Sequence, residues 1–465
     1  MQTDPATISP LPRDMRLALG LLAAIVLVPA ATMLWLNRPL LAILPLLTVP
    51  AVWLVTTPRV TLYLFLLSLG VYMPYYTGSF AVHPMDVALA LLAVGVVLEF
   101  LLRGQTEIRH TGIDRAYLFL IGATILSAIF AYNYRLSIVP VLRIITLYIA
   151  FRVLFKFALE VPIRRLLEFY LALIFVLSLI TTGQLIATGG ALRVFGPAWL
   201  AMQYLTMVAV PVTICFFVWS DNPWQKLRYT VYVLFMVIAI LATQSRAPVV
   251  AVAAVVPLLL VVLYWRLRRD KLTYAYRNLR AVIFVAGLAG LVIVTLAGTL
   301  FAGAFDRIAE FIASWHQPKG TVALRLVLWS AALEAFAENV LFGVGIGNFR
   351  VVHEILPHLK LNPTWRWVQG MSAHNVILHY LAETGLVGTI ALLTVAVSGA
   401  RMALRTAGER LSTEQMPVAM ALFAMMLTFV ITLLYMRAWT WEQSGYLMSF
   451  IFALNTAWRY KRDRA

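Results

Sequence analysis

Charged residues are scarce in this sequence. Only 12% of the 465 residues are charged and 62% are hydrophobic, whereas a soluble domain has about 25% charged residues. Polar side chains are therefore too few to cover a water-soluble globule. The apolar residues form unbroken runs, many of about 20 residues, and do not alternate with polar ones. This pattern excludes a closed barrel and predicts membrane-spanning α-helices.

Cysteine and several common catalytic motifs are also missing. Cys215 stands alone within an apolar run, so it forms no intramolecular disulfide, and we interpret it as a small core residue. The sequence has no GxxxxGK[ST] loop for nucleotide phosphates and no G-x-S-x-G nucleophile motif. It also lacks a clustered pair of external carboxylates. We therefore expect no bound metal and no cofactor.

The apolar runs predict an all-α, polytopic membrane protein with about 12 transmembrane helices, in a range of 12 to 14 because several runs are short. They lie at 17–36, 39–57, 60–76, 85–102, 116–131, 138–157, 166–187, 199–219, 229–243, 248–264, 281–303, 384–400, 417–435 and 445–458. The first run has no small-residue cleavage site, so we interpret it as a retained helix. Three regions follow: a helical bundle over 1–303, a large loop over 304–383 that carries the catalytic motif, and C-terminal helices over 384–465.

The net charge of +17 is concentrated in short clusters between apolar runs, and most of the 37 basic residues lie on one side of the predicted spans. One such cluster contains Arg266, Arg268, Arg269, Lys271, Arg277 and Arg280. This distribution is typical of the positive-inside rule, and it points to membrane lipids as partners and not to nucleic acid. It predicts that both termini are cytoplasmic and that the loop 304–383 lies on the opposite, external face.

The loop contains the first candidate for catalysis, His374, in the segment Ser372-Ala373-His374-Asn375. A histidine at the membrane interface with a hydrogen-bonding neighbour can act as a general base near neutral pH. The alternative is a histidine that caps the following helix or packs at the interface. His374 and His379 are five residues apart, which is the wrong spacing for a zinc site on one helical face.

Three isolated arginines are the next candidates: Arg193, Arg246 and Arg325, each near an external helix end with no acidic neighbour in sequence. Phosphate is a natural counter-charge for a guanidinium at a membrane interface. The alternative is that each arginine reaches the lipid headgroups or a distant acid. The acids expected nearest this face include Glu383 and Asp86, and Asp86 is a candidate partner for an arginine.

Taken together, these residues resemble a known family. His374, Asn375 and Leu378, followed by Ala382-Glu383-Thr384-Gly385-Leu386-Val387-Gly388, are similar to the HNxxL…AExGxxG pattern of the O-antigen ligase and polymerase superfamily. Arg325 with Trp329, the segment Leu341-Phe342-Gly343-Val344-Gly345-Ile346-Gly347-Asn348-Phe349, and Ser245-Arg246 match its other motifs. Asn339-Val340 departs from the Asn-Pro that is usual there. The resemblance covers roughly residues 243–390.

The resemblance implies a GT-C-like glycosyltransferase of the bacterial inner membrane that needs neither metal nor nucleotide. Its donor would be a glycan on undecaprenyl diphosphate, presented on the periplasmic face, and its acceptor the lipid A–core of lipopolysaccharide. By position, His374 would deprotonate the acceptor hydroxyl. Arg246 and Arg325 would bind the diphosphate, with Arg193 as a weaker third. Asn375, Glu383 and Asp86 are supporting candidates.

The motifs leave several functions open. The same pattern fits a ligase, an O-antigen polymerase and a protein O-oligosaccharyltransferase, and we favour the ligase because a single large loop carries the histidine motif. A transporter of a lipid-linked anion is an alternative from another class. Transport predicts charges buried along several spans, whereas only Arg143 and Arg152 lie clearly inside one.

Overall fold

The computed structural model describes residues 50–71, 75–77, 80–103, 110–189, 194, 201–283, 320–362, 364–409, 411–433 and 442–463. The predicted runs at 17–36 and most of 281–303 lie outside these residues. The described part is almost entirely helical, and the chain is an all-α, multi-pass membrane protein. Within the described ranges, nine helices are long and apolar enough to cross a membrane, or ten if one bent pair forms a single span.

The helices are numbered in chain order. They are α1 (Pro50–Thr56), α2 (Pro58–Leu69), α3 (Pro84–Arg103), α4 (Gly112–Ile129), α5 (Tyr134–Ala158), α6 (Ile163–Ala187), α7 (Ala201–Val218), α8 (Pro223–Ala242), α9 (Arg246–Arg269), α10 (Gly320–Glu338), α11 (Val352–Ile355), α12 (Trp365–Val368), α13 (Val376–Gly408), α14 (Met416–Leu433) and α15 (Glu442–Arg462). Two 3₁₀ turns, Phe349–Val351 and Pro357–Leu361, lie on either side of α11.

The predicted span at 60–76 is shorter than expected. Helix α2 ends at Leu69, and residues Tyr75–Thr77 pair with Phe80–Val82 as an antiparallel hairpin, with Tyr76 opposite Ala81. The pair α1 and α2 bends by 108° at its break, because the proline at the start of α2 disfavours a helical conformation at Thr57. This segment is therefore a broken span or a re-entrant loop, followed by a hairpin.

The chain divides into two compact units. The smaller comprises residues 1–62 and 90–106, and in its described part Gly95 of α3 faces the carbonyl of Val55 in α1. The larger comprises residues 63–89 and 107–465. In the larger unit α4 packs on α13, α5 on α15, α7 on both α8 and α14, and α10 on α13.

Helix α7 lies at the centre of the larger unit. It is apolar on every side, and 94% of its spanning segment is buried, compared with 28% for α8. A helix that is hydrophobic all round can only be stable when other helices or lipid surround it. Helices α8, α9 and α14 contact α7, and the less buried helices keep an apolar face for lipid.

Candidate functional site

The described part of the predicted loop, residues 320–362 and 364–383, has a hydrophobic core of its own. Helix α10 contributes four buried residues to this core, and the segment after it folds through the 3₁₀ turns and short helices back onto α10. The core contains Leu328, Ala331, Ala332, Ala335, Val344, Phe349, Val352, Leu356, Leu359, Trp365, Val368, Ala373 and Ala382. The last two residues lie on either side of the start of α13, so the loop core includes the histidine segment.

Helix α10 is tied directly to the histidine segment. The indole N–H of Trp329 donates a hydrogen bond to the carbonyl oxygen of Ala373, with an N···O distance of 2.9 Å. Arg325 is exposed and lies four residues before Trp329, which places both on one face of the helix. The structure thus brings the helix that carries Arg325 against the residue that precedes His374.

The backbone at His374 is held in an uncommon conformation. Its φ is +52°, in the left-handed region that costs a non-glycine residue roughly 1–2 kcal/mol. Asn375 follows as the N-cap of α13, and its side chain accepts a hydrogen bond from the backbone N–H of Leu378 at 3.1 Å. Ala373 before it is completely buried. Both neighbours of His374 are therefore fixed, and His374, which is half-buried, lies in a constrained turn.

Helix α13 is broken at Gly385, within the segment Ala382-Glu383-Thr384-Gly385-Leu386-Val387-Gly388. Gly385 has φ 60° and ψ −159°, which are not helical values. Four backbone N–H groups bridge the break to the preceding turn. They are Val344 to Ala382 at 2.9 Å, Gly345 to Glu383 at 2.9 Å, Leu386 to Val340 at 2.9 Å and Val387 to Leu341 at 3.2 Å. We call residues 340–349 and 382–388 the glycine junction.

Glycines are required at this junction because two stretches of backbone touch. Gly343 has φ +67°, and a Cβ there would lie 2.5 Å from the carbonyl carbon of Glu383. Gly345 has φ +101° and faces Ala131 even more closely. At both positions a side chain would be strained by conformation and blocked by backbone. The glycine motif therefore builds the support for the loop.

The Glu383 carboxylate belongs to the same junction. It is 6% exposed, and its Oε1 accepts a hydrogen bond from the backbone N–H of Phe349 at 3.1 Å. The His379 Nε2 atom lies 3.5 Å from its Oε2, and the His379 ring meets Phe349 edge-on. Glu383 therefore connects Phe349 to His379 of α13.

Polar residues of α4 and of the start of α5, none of them in the sequence motifs, complete the junction. Ser127 of α4 accepts a hydrogen bond from the N–H of Ile346 at 2.9 Å and donates one to the carbonyl of Glu383 at 2.8 Å. The Asn348 side chain accepts from the N–H of Asn133 at 2.9 Å and donates to Ser137 at 3.1 Å. The signal available in the sequence was a polar residue within an apolar run. That signal does not identify the partner, which lies more than 200 residues away in the sequence.

The other candidate residues have separate surroundings. Arg246 is the first residue of α9, and the hydroxyl of its N-cap Ser245 lies 2.9 Å from Gln203 Oε1. Arg193 lies outside the described residues. Its neighbour Val194 donates a hydrogen bond to the carbonyl of Ala242 at 3.1 Å. The chain next to Arg193 is therefore close to the turn that precedes Arg246.

Asp86 forms an ion pair within the membrane-spanning part of the larger unit. One carboxylate oxygen lies 3.8 Å from Arg143 and accepts the hydroxyl of Tyr446, and the other accepts the N–H of His83 at 2.8 Å. Arg152 likewise donates to both oxygens of Asp114, at 3.0 and 2.9 Å. Both arginines inside the 138–157 run are thus matched by a carboxylate.

Comparison with known proteins gave one family. A protein-family model described as O-antigen ligase matches residues 231–393. This range contains Arg246, α10, His374 and both halves of the glycine junction. A search of curated proteins found no significant match. The family match confirms the resemblance inferred from the motifs.

Proposed function

We propose that the chain is an O-antigen ligase, because residues 231–393 match the family model of that description. It transfers O-antigen polysaccharide from undecaprenyl diphosphate to the lipid A–core acceptor on the periplasmic face of the inner membrane. The observation that carries the proposal is the hydrogen bond from Trp329 to Ala373. It joins the helix that bears Arg325 to the turn that bears His374, so a cation and a base are fixed to one support.

The proposed reaction needs one base and one good leaving group. An acceptor sugar hydroxyl attacks the anomeric carbon of the donor, and His374 takes the hydroxyl proton. The bond from that carbon to the diphosphate oxygen breaks, and its electron pair leaves with undecaprenyl diphosphate. A base held in position contributes roughly 10²–10⁴ in rate, which is consistent with the constrained backbone on both sides of His374.

Arginines are proposed to hold the departing diphosphate. A guanidinium makes two parallel hydrogen bonds to phosphate oxygens and keeps its charge at any physiological pH. Arg325 is exposed on the helix next to the histidine turn, and Arg246 begins α9, where the helix dipole also favours an anion. Arg193 is the third, weaker candidate. Because these charges serve the leaving group, we propose that neither a metal nor a nucleotide is needed.

The proposed topology places both termini in the cytoplasm and the loop in the periplasm. Contacts between connections support it. The turn between α4 and α5, predicted to be external, meets the external loop through Asn133 and Asn348. At the other face Arg266 of α9 donates to the carbonyl of Ala407 at 2.9 Å, and Lys461 to that of Val161 at 2.7 Å. All four of these latter residues lie in or beside predicted cytoplasmic segments.

The transporter alternative receives less support from the same contacts. It requires cations along a path through the membrane, but Arg143 and Arg152 are paired with Asp86 and Asp114. A paired arginine gives an anionic substrate less attraction than a free one.

The test is a reaction with purified protein, undecaprenyl-diphosphate glycan and lipid A–core, with a chelator present. We expect glycan on lipid A–core, and we expect His374→Ala to lower its rate by about 10³-fold while the protein still inserts and accumulates. His358→Ala is the matched control, because His358 lies in the same loop, is exposed and pairs with Glu334 at 2.7 Å. It should keep the wild-type rate.

Each other outcome has a definite meaning. Longer glycan on the donor would identify a polymerase, and glycan on an added pilin would identify a protein O-oligosaccharyltransferase. A product that disappears with the chelator would contradict the metal-free reaction. Full activity of His374→Ala would disprove its role as base.

A further inference from the structure

Three arginines and a tryptophan line a cavity at the C-terminal end of α9, remote from the glycine junction. The cavity has a volume of about 610 Å³. Its lining includes Trp265, Arg266, Arg268 and Arg269 from α9, and Leu404 and Phe423 from α13 and α14. Leu404 is 19 residues beyond Gly385 on α13, which corresponds to about 28 Å of helix. The cavity is therefore a separate site at the opposite end of that helix.

The cavity has more positive than negative charge. Asp270 forms ion pairs with Arg266 at 2.8 Å and with Arg269 at 3.1 Å, so two arginines share one carboxylate. Arg268 contacts the hydroxyl of Tyr264 at 3.4 Å, and no carboxylate pairs with it in the part of the chain that the structure describes. Arg268 and Arg269 are both exposed. A ligand with a negative charge would balance this excess.

The rest of the lining is apolar. Trp265 is 64% exposed and Leu404 is 59% exposed, and both lie at the rim of the cavity. The spanning part of α9 runs from Ala247 to Arg269, so the arginines lie in its last turns, at the level of the lipid headgroups. Tryptophan is enriched at this level of a membrane. The cavity thus offers cations to a headgroup and apolar side chains to the adjoining hydrocarbon.

We propose that this cavity binds an anionic phospholipid from the leaflet at this end of the bundle. Arg268 and Arg269 contact the phosphate, and Trp265 and Leu404 contact the start of an acyl chain. Basic pockets between transmembrane helices recognise anionic headgroups in this way. The inference depends on the membrane-spanning helices and not on the reaction proposed for the glycine junction.

The experiment measures lipid retention on the full-length protein. Purified, delipidated protein receives equal amounts of phosphatidylglycerol and phosphatidylcholine with identical acyl chains, and native mass spectrometry counts the lipids that remain bound. We expect wild-type protein to retain phosphatidylglycerol preferentially. Arg268→Gln should lower that preference about fivefold, the factor that corresponds to the loss of one cation near a membrane surface.

Arg277→Gln is the matched control, because it removes one exposed positive charge from the same connection and does not line the cavity. It should keep the wild-type preference. Trp265→Ala is a second variant that leaves all charges in place, and it should lose phosphatidylglycerol to a similar extent. Equal retention of the two lipids by wild type, or equal effects of Arg268→Gln and Arg277→Gln, would overturn the proposal. So would displacement of the lipid by inorganic phosphate at the same concentration.

Discussion

Helix α13 is held at two places by different means: at the glycine junction, and at its C-terminal end by Arg266 and Arg269 of α9, which we call the basic end. At the junction, backbone meets backbone, and the contacts leave no room for side chains at Gly343 or Gly345. At the basic end, the last carbonyls of α13 accept hydrogen bonds from Arg266 and Arg269 of α9. Backbone contacts fix positions to within a fraction of an ångström, whereas long side chains can adjust. The more rigid of the two attachments is therefore the one that lies close in sequence to the turn at His374.

The strongest test of this comparison is a substitution that adds a Cβ atom to a glycine of the junction. Gly343→Ala should destabilise the protein by roughly 3 kcal/mol or more, because the new atom overlaps the backbone at Glu383 in addition to its positive φ. Thermal unfolding in detergent measures the loss. Gly370→Ala is the control, since Gly370 has φ +80° with nothing near its Cβ position, and it should cost only about 1 kcal/mol. Equal losses would mean that the close approach is unimportant.

The basic end is tested by exchanging one cation for another. Arg266→Lys keeps the charge but cannot reach Asp270, the carbonyl of Ala407 and the carbonyl of Glu409 together. Because a buried polar group would lose a partner, we expect a loss of about 2 kcal/mol in the same unfolding measurement. The control is Arg401→Lys at an exposed position of α13, which should change little. A larger loss than that of Gly343→Ala would reverse the comparison.

The smallest expected effect on stability concerns the link between α10 and the histidine turn. Trp329→Phe removes the hydrogen bond to Ala373 and should cost about 1 kcal/mol. Under the proposed reaction it should also slow transfer about tenfold, because misplacing a base by a fraction of an ångström is expensive. Trp367→Phe is the control, since Trp367 lies in the same loop and is 74% exposed. If Trp329→Phe leaves the transfer rate unchanged, the hydrogen bond to Ala373 stabilises the loop but does not position the proposed base.

Parts of the site followed from local sequence patterns. A cap at the start of α13 was expected as the alternative role of His374, and the structure makes the next residue, Asn375, the N-cap instead. The closely spaced glycines after residue 340 are a local signal for a turn, and the structure ends α10 at Glu338 and turns at Gly343, Gly345 and Gly347. Local signals of this kind depend on a few adjacent residues, so one sequence suffices to find them.

Other parts needed contacts between distant residues. Ser127 meets Ile346 and the carbonyl of Glu383 across more than 200 positions. Glu383 appeared in a motif, but its burial against Phe349 and His379 could not be inferred from its neighbours. The early end of α2 at Leu69 was likewise missed, since its apolar run continues into residues that pair as a hairpin. The spacing of apolar residues along the chain does not predict which distant residues will be in contact.

Composition and the apolar runs are enough to predict that this protein is helical and spans a membrane, because its charged residues are too few to cover a water-exposed surface. The motifs by themselves indicated the resemblance to the O-antigen ligase family, which the family match over residues 231–393 supports. Two features are visible only in the folded protein. The glycines are contact points between two stretches of backbone, and Trp329 of α10 donates a hydrogen bond to Ala373, next to His374. These contacts join residues that are far apart in the sequence, and they form only once the loop has folded onto the broken helix. Composition and periodicity depend on neighbouring residues and do not identify such partners.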